Sequence, residues 1–302
     1  MNGMIQHFTV LRSDDTALPW ADVLDVVGRE LLFRNATTLS GETTMHMTVG
    51  GTKVRLAQRG ERFDVPADGL APLRVWEPSA ALGAHASIVS IAITPRDASE
   101  LAALLAMKVG FALTAAIAEV AGDVLALHTL PNDAFLPPDM VDTVLAAFAA
   151  GEVPHEILVQ YAPYHPQNSG LLGTVGMMTK GLLPLTGFEL AVAPTARGTE
   201  DEAWRLAAEG VRRHIVEGLP LRDGEVLATS GGDVLVRLAA EWLIPGVPMA
   251  VLIPAGALIE ADTLCVKPEL CADGTGSLGE GPRRRGLLSR LLGAALRRGA
   301  AA

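Results

Sequence analysis

Two spacings of apolar residues alternate along this chain, and the changes between them mark its elements. Phe8 to Leu11 is apolar in a short run and predicts a strand. From about Pro19 to Phe33, Leu24, Val27 and Leu31 recur at helical spacing, and Pro19 suits a first turn, where no backbone donor is required. Met45, Met47 and Val49 then alternate with polar residues, Gly50 and Gly51 supply a two-residue turn, and Val54 and Leu56 alternate on the return, which predicts a hairpin. Residues 58–84 hold several Pro and Gly and read as loop.

A strand–helix series follows. Ala86 to Ile93 predicts a strand that stops at Pro95, and Asp97 or Ser99 can cap the next helix. That helix, Leu101 to Ala118, is apolar on nearly every side except at Lys108. Its length approaches that of a membrane span, but a charge near the middle is costly there, so a helix buried in protein is expected. Asp123 to Leu127 reads as a strand, Asp139 to Ala150 as a helix and Glu156 to Tyr161 as a strand. Ala191 to Ala193 predicts a further strand, 200–217 a helix, and Glu225 to Ala228, Val234 to Leu238 and Met249 to Ile253 three more strands. Strands interleaved with helices predict an α+β or α/β fold of mixed sheets covered by helices.

One piece of the series recurs. Ile91-Ala92-Ile93-Thr94-Pro95, a long helix and Asp123-Val124-Leu125-Ala126 resemble Ala191-Val192-Ala193-Pro194, the helix 200–217 and Glu225-Val226-Leu227-Ala228. Duplication and chance similarity in an Ala- and Val-rich chain both account for it. The expected organisation is a body over 1–271, with two halves at about 1–165 and 166–271 if the unit is duplicated. A Gly-, Asp-, Ser- and Pro-rich linker over 272–282 and a basic tail over 283–302 follow.

Composition sharpens this outline. At 302 residues and 49 % hydrophobic, the chain supports a large core, and with aromatics at 4 % that core is built from Ala, Leu and Val. The net charge is −10, yet residues 282–302 carry six Arg and no acid, so the remaining 281 residues hold about −16. An acidic body is a poor match for phosphate, and nucleic acid is not expected as a partner. Cys265 and Cys271 are too few for a four-ligand zinc site or a disulfide framework. Met1 to Val10 lacks a basic stretch followed by an apolar one, so a cytoplasmic setting is expected.

The densest chemistry lies between residues 161 and 190. Thr179, Lys180 and Gly181 end one apolar run, and Gly187 and Glu189 open another after Pro184. With the strand after His85, the Ala-rich helix and the Gly-containing turn near Gly224, this segment resembles the bacterial family called domain of unknown function 4261, over roughly residues 84–240. The family's pattern has a Phe-Gly pair before the Glu, whereas Thr186 and Gly187 stand there in this chain, with Phe188 after the Gly. The resemblance implies no settled activity and supplies no catalytic residues.

Read physically, Thr179, Lys180 and the N–H groups near Gly181 can form an anion-binding corner. Alternatively, Lys180 pairs with Glu189 and Gly181 permits a tight turn. Tyr164, His165 and Asn168 follow a predicted strand, where α/β proteins often place ligands. These residues with Thr179, Lys180 and Glu189 make a candidate ligand-binding or enzymatic cleft, although no nucleophile has a recognisable setting beside His165.

Other matches fail on context. Gly274, Gly276 and Gly279 lie in the linker, Ser230 lacks the upstream Gly of a nucleophile elbow, and His214 with Glu217 is too little for a metal site. No metal and no cofactor are expected.

In the tail, Arg283, Arg290 and Arg297 recur every seven residues and share a helical face, opposite Leu287, Leu288, Leu291 and Leu292. Such a helix can lie on an anionic membrane, fill a partner's groove or fold back on the acidic body. The expected function is therefore a non-catalytic interaction or adaptor role, with another protein as partner and peripheral association at the inner membrane through the tail. A small-ligand binder or enzyme is the alternative.

Overall fold

In the computed structural model the described residues are 4–31, 37–40, 43–63, 76, 78–130, 132–165, 174–240 and 242–259. They form an α+β protein whose contacts divide it after Pro154 into two compact units.

The first unit runs β1 (Gln6–Arg12), α1 (Trp20–Leu31), β2 (Thr37–Ser40), β3 (Thr44–Val49), β4 (Thr52–Arg59), α2 (Ser79–Ala84), β5 (Ser87–Thr94), α3 (Glu100–Ala121), β6 (Val124–Thr129), β7 (Ala134–Leu136) and α4 (Pro138–Ala150). Its seven strands pair antiparallel throughout, in the order β2-β3-β4-β5-β1-β6-β7. Period-two alternation sends Phe8, Val10, Leu56, Ile91 and Ile93 to one buried face.

The helix α3 lies on that face. Ser99 accepts from the Ala102 N–H to begin it, and Gly122, at φ 69°, ends it in the left-handed conformation. A Cβ at Gly110 would stand 2.4 Å from the Phe8 ring, so only Gly lets helix and sheet approach this closely. Phe8 meets Phe111 edge-on at 5.5 Å, and Gln6 donates to the Ala103 carbonyl at 3.0 Å. By length and composition α3 is apolar enough to cross a membrane, but 72 % of its most apolar window is buried inside this unit.

On the sheet's other face, Leu11, Ala81, Ile88, Ala126 and Phe135 form a smaller core with Phe63 and Trp76. Buried Arg12 meets Asp123 at 2.9 Å and ties β1 to the turn after α3.

The second unit runs α5 (His155–Leu158), β8 (Gln160–Tyr164), β9 (Gly176–Lys180), α6 (Leu183–Thr186), β10 (Glu189–Val192), α7 (Glu200–Val211), a π-helical turn over Arg212–Val216, β11 (Val226–Thr229), β12 (Gly232–Ala239) and β13 (Met249–Pro254). The sheet order is β11-β12-β13-β10-β9-β8, and β10 and β13 form its parallel pair. The helix α7 packs on one face, where Gly210 admits Leu190 and Leu252 and Trp204 meets Tyr161 edge-on. Met178, Ala191, Met249 and Val251 fill the other face, with Tyr164 and Trp242 packed against them.

Several boundaries differ from those expected. Glu156 to Tyr161 is not one strand: residues 155–158 close a helical turn, with the Val159 N–H on the His155 carbonyl, and pairing begins at Gln160. The loop expected over 58–84 contains α2, and the helix expected over 200–217 changes to π geometry after Val211. Phe33, the 272–282 linker, Cys265, Cys271 and the tail lie outside the described residues.

The recurrent strand–helix–strand pieces, β5-α3-β6 and β10-α7-β11, each continue from a meander, β2-β3-β4-β5 in the first unit and β8-β9-β10 in the second. Their slots differ, since β1 alone separates β5 from β6, whereas β12 and β13 separate β10 from β11.

Candidate functional site

The polar segment between β9 and β10 folds into a corner around Glu189. Gly181, at φ +96°, turns the chain so that successive N–H groups aim inward. Glu189 Oε1 accepts from Gly181 N and Leu183 N, each at 3.0 Å, and Oε2 accepts from Leu182 N at 3.2 Å and Thr179 Oγ1 at 2.6 Å. Thr179 Oγ1 accepts in turn from Leu190 N at 2.8 Å. The donors of the corner are therefore taken up by the chain's own Glu189 carboxyl group.

Glu189 is 5 % exposed. Burial pushes its carboxyl up to about 7, against the four hydrogen bonds that favour the charged form. Lys180 is not its counter-ion, because the carboxylate is taken up by Thr179 and backbone amides. Next to it, Phe188 is fully buried with its ring edge-on to His214 at 5.0 Å.

A cleft of about 340 Å³ opens elsewhere in the second unit, at the C-terminal ends of the parallel strands. Val192 and Ala193 bring β10 to it, Pro254 and Ala255 bring β13, and Ser230 and Gly231 bring the turn between β11 and β12. Thr195 and Gly198 come from the loop that enters α7; a Cβ on Gly198 would lie 2.5 Å from Thr195 Oγ1. The first turn of α7 closes the wall with Thr199, Glu202, Ala203 and Arg205.

Its polar groups are set by local bonds. The Thr199 N–H donates to Glu202 at 2.9 Å and the Glu202 N–H returns to Thr199 Oγ1 at 3.3 Å, a capping box. Hydrogen bonds from the Thr199 backbone N–H and hydroxyl hold the Glu202 carboxyl below its ordinary range. Ser230 donates through its hydroxyl to Glu209 at 3.1 Å. Arg205 reaches only the Asp201 carbonyl, at 3.4 Å, leaving a guanidinium without an ion pair among the described residues. Hydroxyls, one carboxylate and one guanidinium over an apolar floor can orient a small molecule by hydrogen bonds.

The expected site residues separate between these two places. Thr179 and Glu189 meet in the corner. Lys180 is half-buried at the same end of β9, opposite Gln160. Tyr164 sits at the other end of that ladder, opposite Gly176, where a Cβ would come within 2.3 Å of its ring. Its hydroxyl donates to the Val192 carbonyl at 3.0 Å, beside the cleft, and burial pushes the phenol up. His165 Nδ1 lies 3.1 Å from the Thr174 carbonyl. Asn168 and the tail residues Arg283, Leu287, Leu288, Arg290, Leu291, Leu292 and Arg297 lie outside the described residues.

Sequence reading missed Thr195, Thr199, Glu202 and Arg205. The only local signal was Thr-x-x-Glu ahead of α7, which marks a helix start and not a ligand. Among the described residues no group of three or more His, Cys, Asp or Glu is placed to hold a metal ion. His85 and His128 are accounted for within the first unit. His85 accepts from the Phe63 N–H at 2.7 Å and contacts the Leu82 carbonyl at 2.8 Å. His128 meets Asp133 at 3.0 Å, with burial lowering its pKa.

No family model matches the chain, and no curated protein matches it.

Proposed function

We propose that the second unit binds a small molecule in the cleft at the C-terminal ends of β10 and β13. The observation that carries this reading is the position of the cleft. At the carboxyl ends of parallel strands, strand-to-helix loops and helix amides converge on a concavity, and α/β proteins bind ligands there. The volume, about 340 Å³, suits a metabolite-sized molecule.

The wall chemistry narrows the class. Glu200, Asp201 and Glu202 all lie in the first turn of α7, where they complement its dipole and repel phosphate. Glu209 stands behind Ser230. The ligand is a polar, unphosphorylated molecule with hydroxyl or amine groups for Thr195, Thr199 and Glu202, an acceptor oxygen for the Arg205 guanidinium and an apolar part for Val192 and Leu206. This is the ligand-binding alternative raised by the sequence, with the cleft moved from Lys180 to the α7 entrance.

The test is a ligand screen on the full chain and on Ser230→Trp, which places an indole at the cleft mouth. Polyols, sugars and small amines should raise the melting temperature of the unaltered chain and not of the variant. Stabilisation confined to phosphorylated compounds, or equal in both proteins, contradicts the proposal.

The interaction reading is a second proposal, supported by an acidic groove in the first unit that matches the basic tail. In it the chain is a cytoplasmic protein whose tail docks on protein or on an anionic membrane. Kinship with domain of unknown function 4261 over residues 84–240 is likewise a proposal. It is supported by Thr179, Gly181 and Glu189 acting as one hydrogen-bonded motif.

A further inference from the structure

The first unit carries a groove of about 430 Å³ between α1, α3 and α4. Its floor is apolar, built from Val26, Ala115, Ala118, Val141 and Leu145. Its rim is acidic, with Glu119 on α3 and Asp139 and Asp142 on α4. Glu119 is matched by Arg29 at 3.2 Å. Asp139 and Asp142 are exposed, and among the described residues neither forms an ion pair. Asp139 lies in the first turn of α4 and also complements that helix's dipole; Asp142, a turn further on, has no such role.

We infer that residues 283–298 of this chain are the occupant of this groove, with the Leu face of the tail on the apolar floor and its Arg face against Asp139 and Asp142. Three observations point to this segment. The groove offers an apolar strip beside unmatched carboxylates, and residues 283–298 offer Leu beside six Arg and no acid. The charge of the tail is opposite to that of the rest of the chain, which attracts it at the distances a tether imposes. Between Ile259 and Arg283 lie 23 residues, so the tail meets the groove as part of the same chain and not at solution concentration.

This rests on the docking reading of the tail and not on the ligand cleft. It adds regulation to that reading. A tail seated in the groove is withheld from membranes and partners, and raised salt or a competing acidic surface releases it.

The test uses the full chain with Cys265 and Cys271 changed to Ser and spin labels at Ala146→Cys, on the exposed side of α4, and Ala300→Cys. Pulsed electron resonance should give one narrow, short distance at low salt. Asp139→Lys with Asp142→Lys should reduce that component by about threefold or more, and Arg290→Glu with Arg297→Glu should do the same. Combining all four changes should restore it. Far-UV circular dichroism confirms that each variant is folded.

A broad distribution in the unaltered chain, or a narrow one that ignores charge reversal, overturns the inference. So does a short distance that vanishes when labelled chain is diluted with unlabelled chain, since the groove then holds a second copy. If the tail is free in solution but binds phosphatidylserine vesicles, the inference fails while the docking reading stands.

Discussion

Glu189 holds a carboxylate where water scarcely reaches, and the consequence is a pH-dependent stability. Its folded pKa is raised from 4.5 to about 7 by burial. Between those values the folded state keeps a proton that the unfolded state has released, so stability is highest at low pH and falls as pH rises toward 7. At about 1.4 kcal/mol per unit, this group removes about 3 kcal/mol across that window. Glu189→Gln should flatten that part of a curve of denaturation midpoint against pH. At pH 5 the same variant should cost about 1–3 kcal/mol, because its amide nitrogen faces N–H donors. Thr179→Val should cost about 1–2 kcal/mol at any pH, since Thr179 Oγ1 also accepts from Leu190 N.

The residue types of this corner were legible in the sequence, but their partnership was not. Lys180 next to Thr179, with Glu189 nine residues on, invites an ion pair. The φ of +96° at Gly181 decides otherwise by aiming three amides at the carboxylate. That is a backbone property, invisible in residue types alone.

Among the elements, α3 depends most on one position. Gly110→Ala should gain about 1 kcal/mol in helix propensity and lose more through the 2.4 Å approach to Phe8. Phe8 is 2 % exposed and held by Phe111, so its ring cannot swing away. A net loss of about 1–2 kcal/mol in chemical denaturation is expected, and adding Phe8→Leu should recover part of it.

Long periodic elements were the most legible. The helix over 101–118 and the hairpin at Gly50-Gly51 are present, because their spacing extends over several turns or strand pairs. Short apolar runs were not, as Ile157, Leu158 and Val159 show. Three apolar residues fit a strand as well as a helical turn, and the chain turns before β8 begins. The π geometry after Val211 had no spacing signal, since the apolar face of α7 continues through buried Ile215.

At the scale of the whole molecule, the cleft is built by pairing and not by any segment. Val192, Thr199, Ser230 and Pro254 meet because β10 pairs in parallel with β13, with α7 and the β11–β12 hairpin between them in sequence. No local pattern reports such a pairing, so the ligand-binding alternative was legible only as a class, anchored on Tyr164 beside the cleft and on a corner at the far end of β9.

The measurement that tests the central claim most directly is backbone amide shift mapping of the full-length chain, titrated with small polyols and amines. Concentration-dependent shifts at Thr195, Gly198, Thr199, Glu202, Ser230 and Gly231, absent in Ser230→Trp, are the result the account requires. Shifts that fall elsewhere, or that persist unchanged in the variant, contradict a ligand site at the ends of β10 and β13.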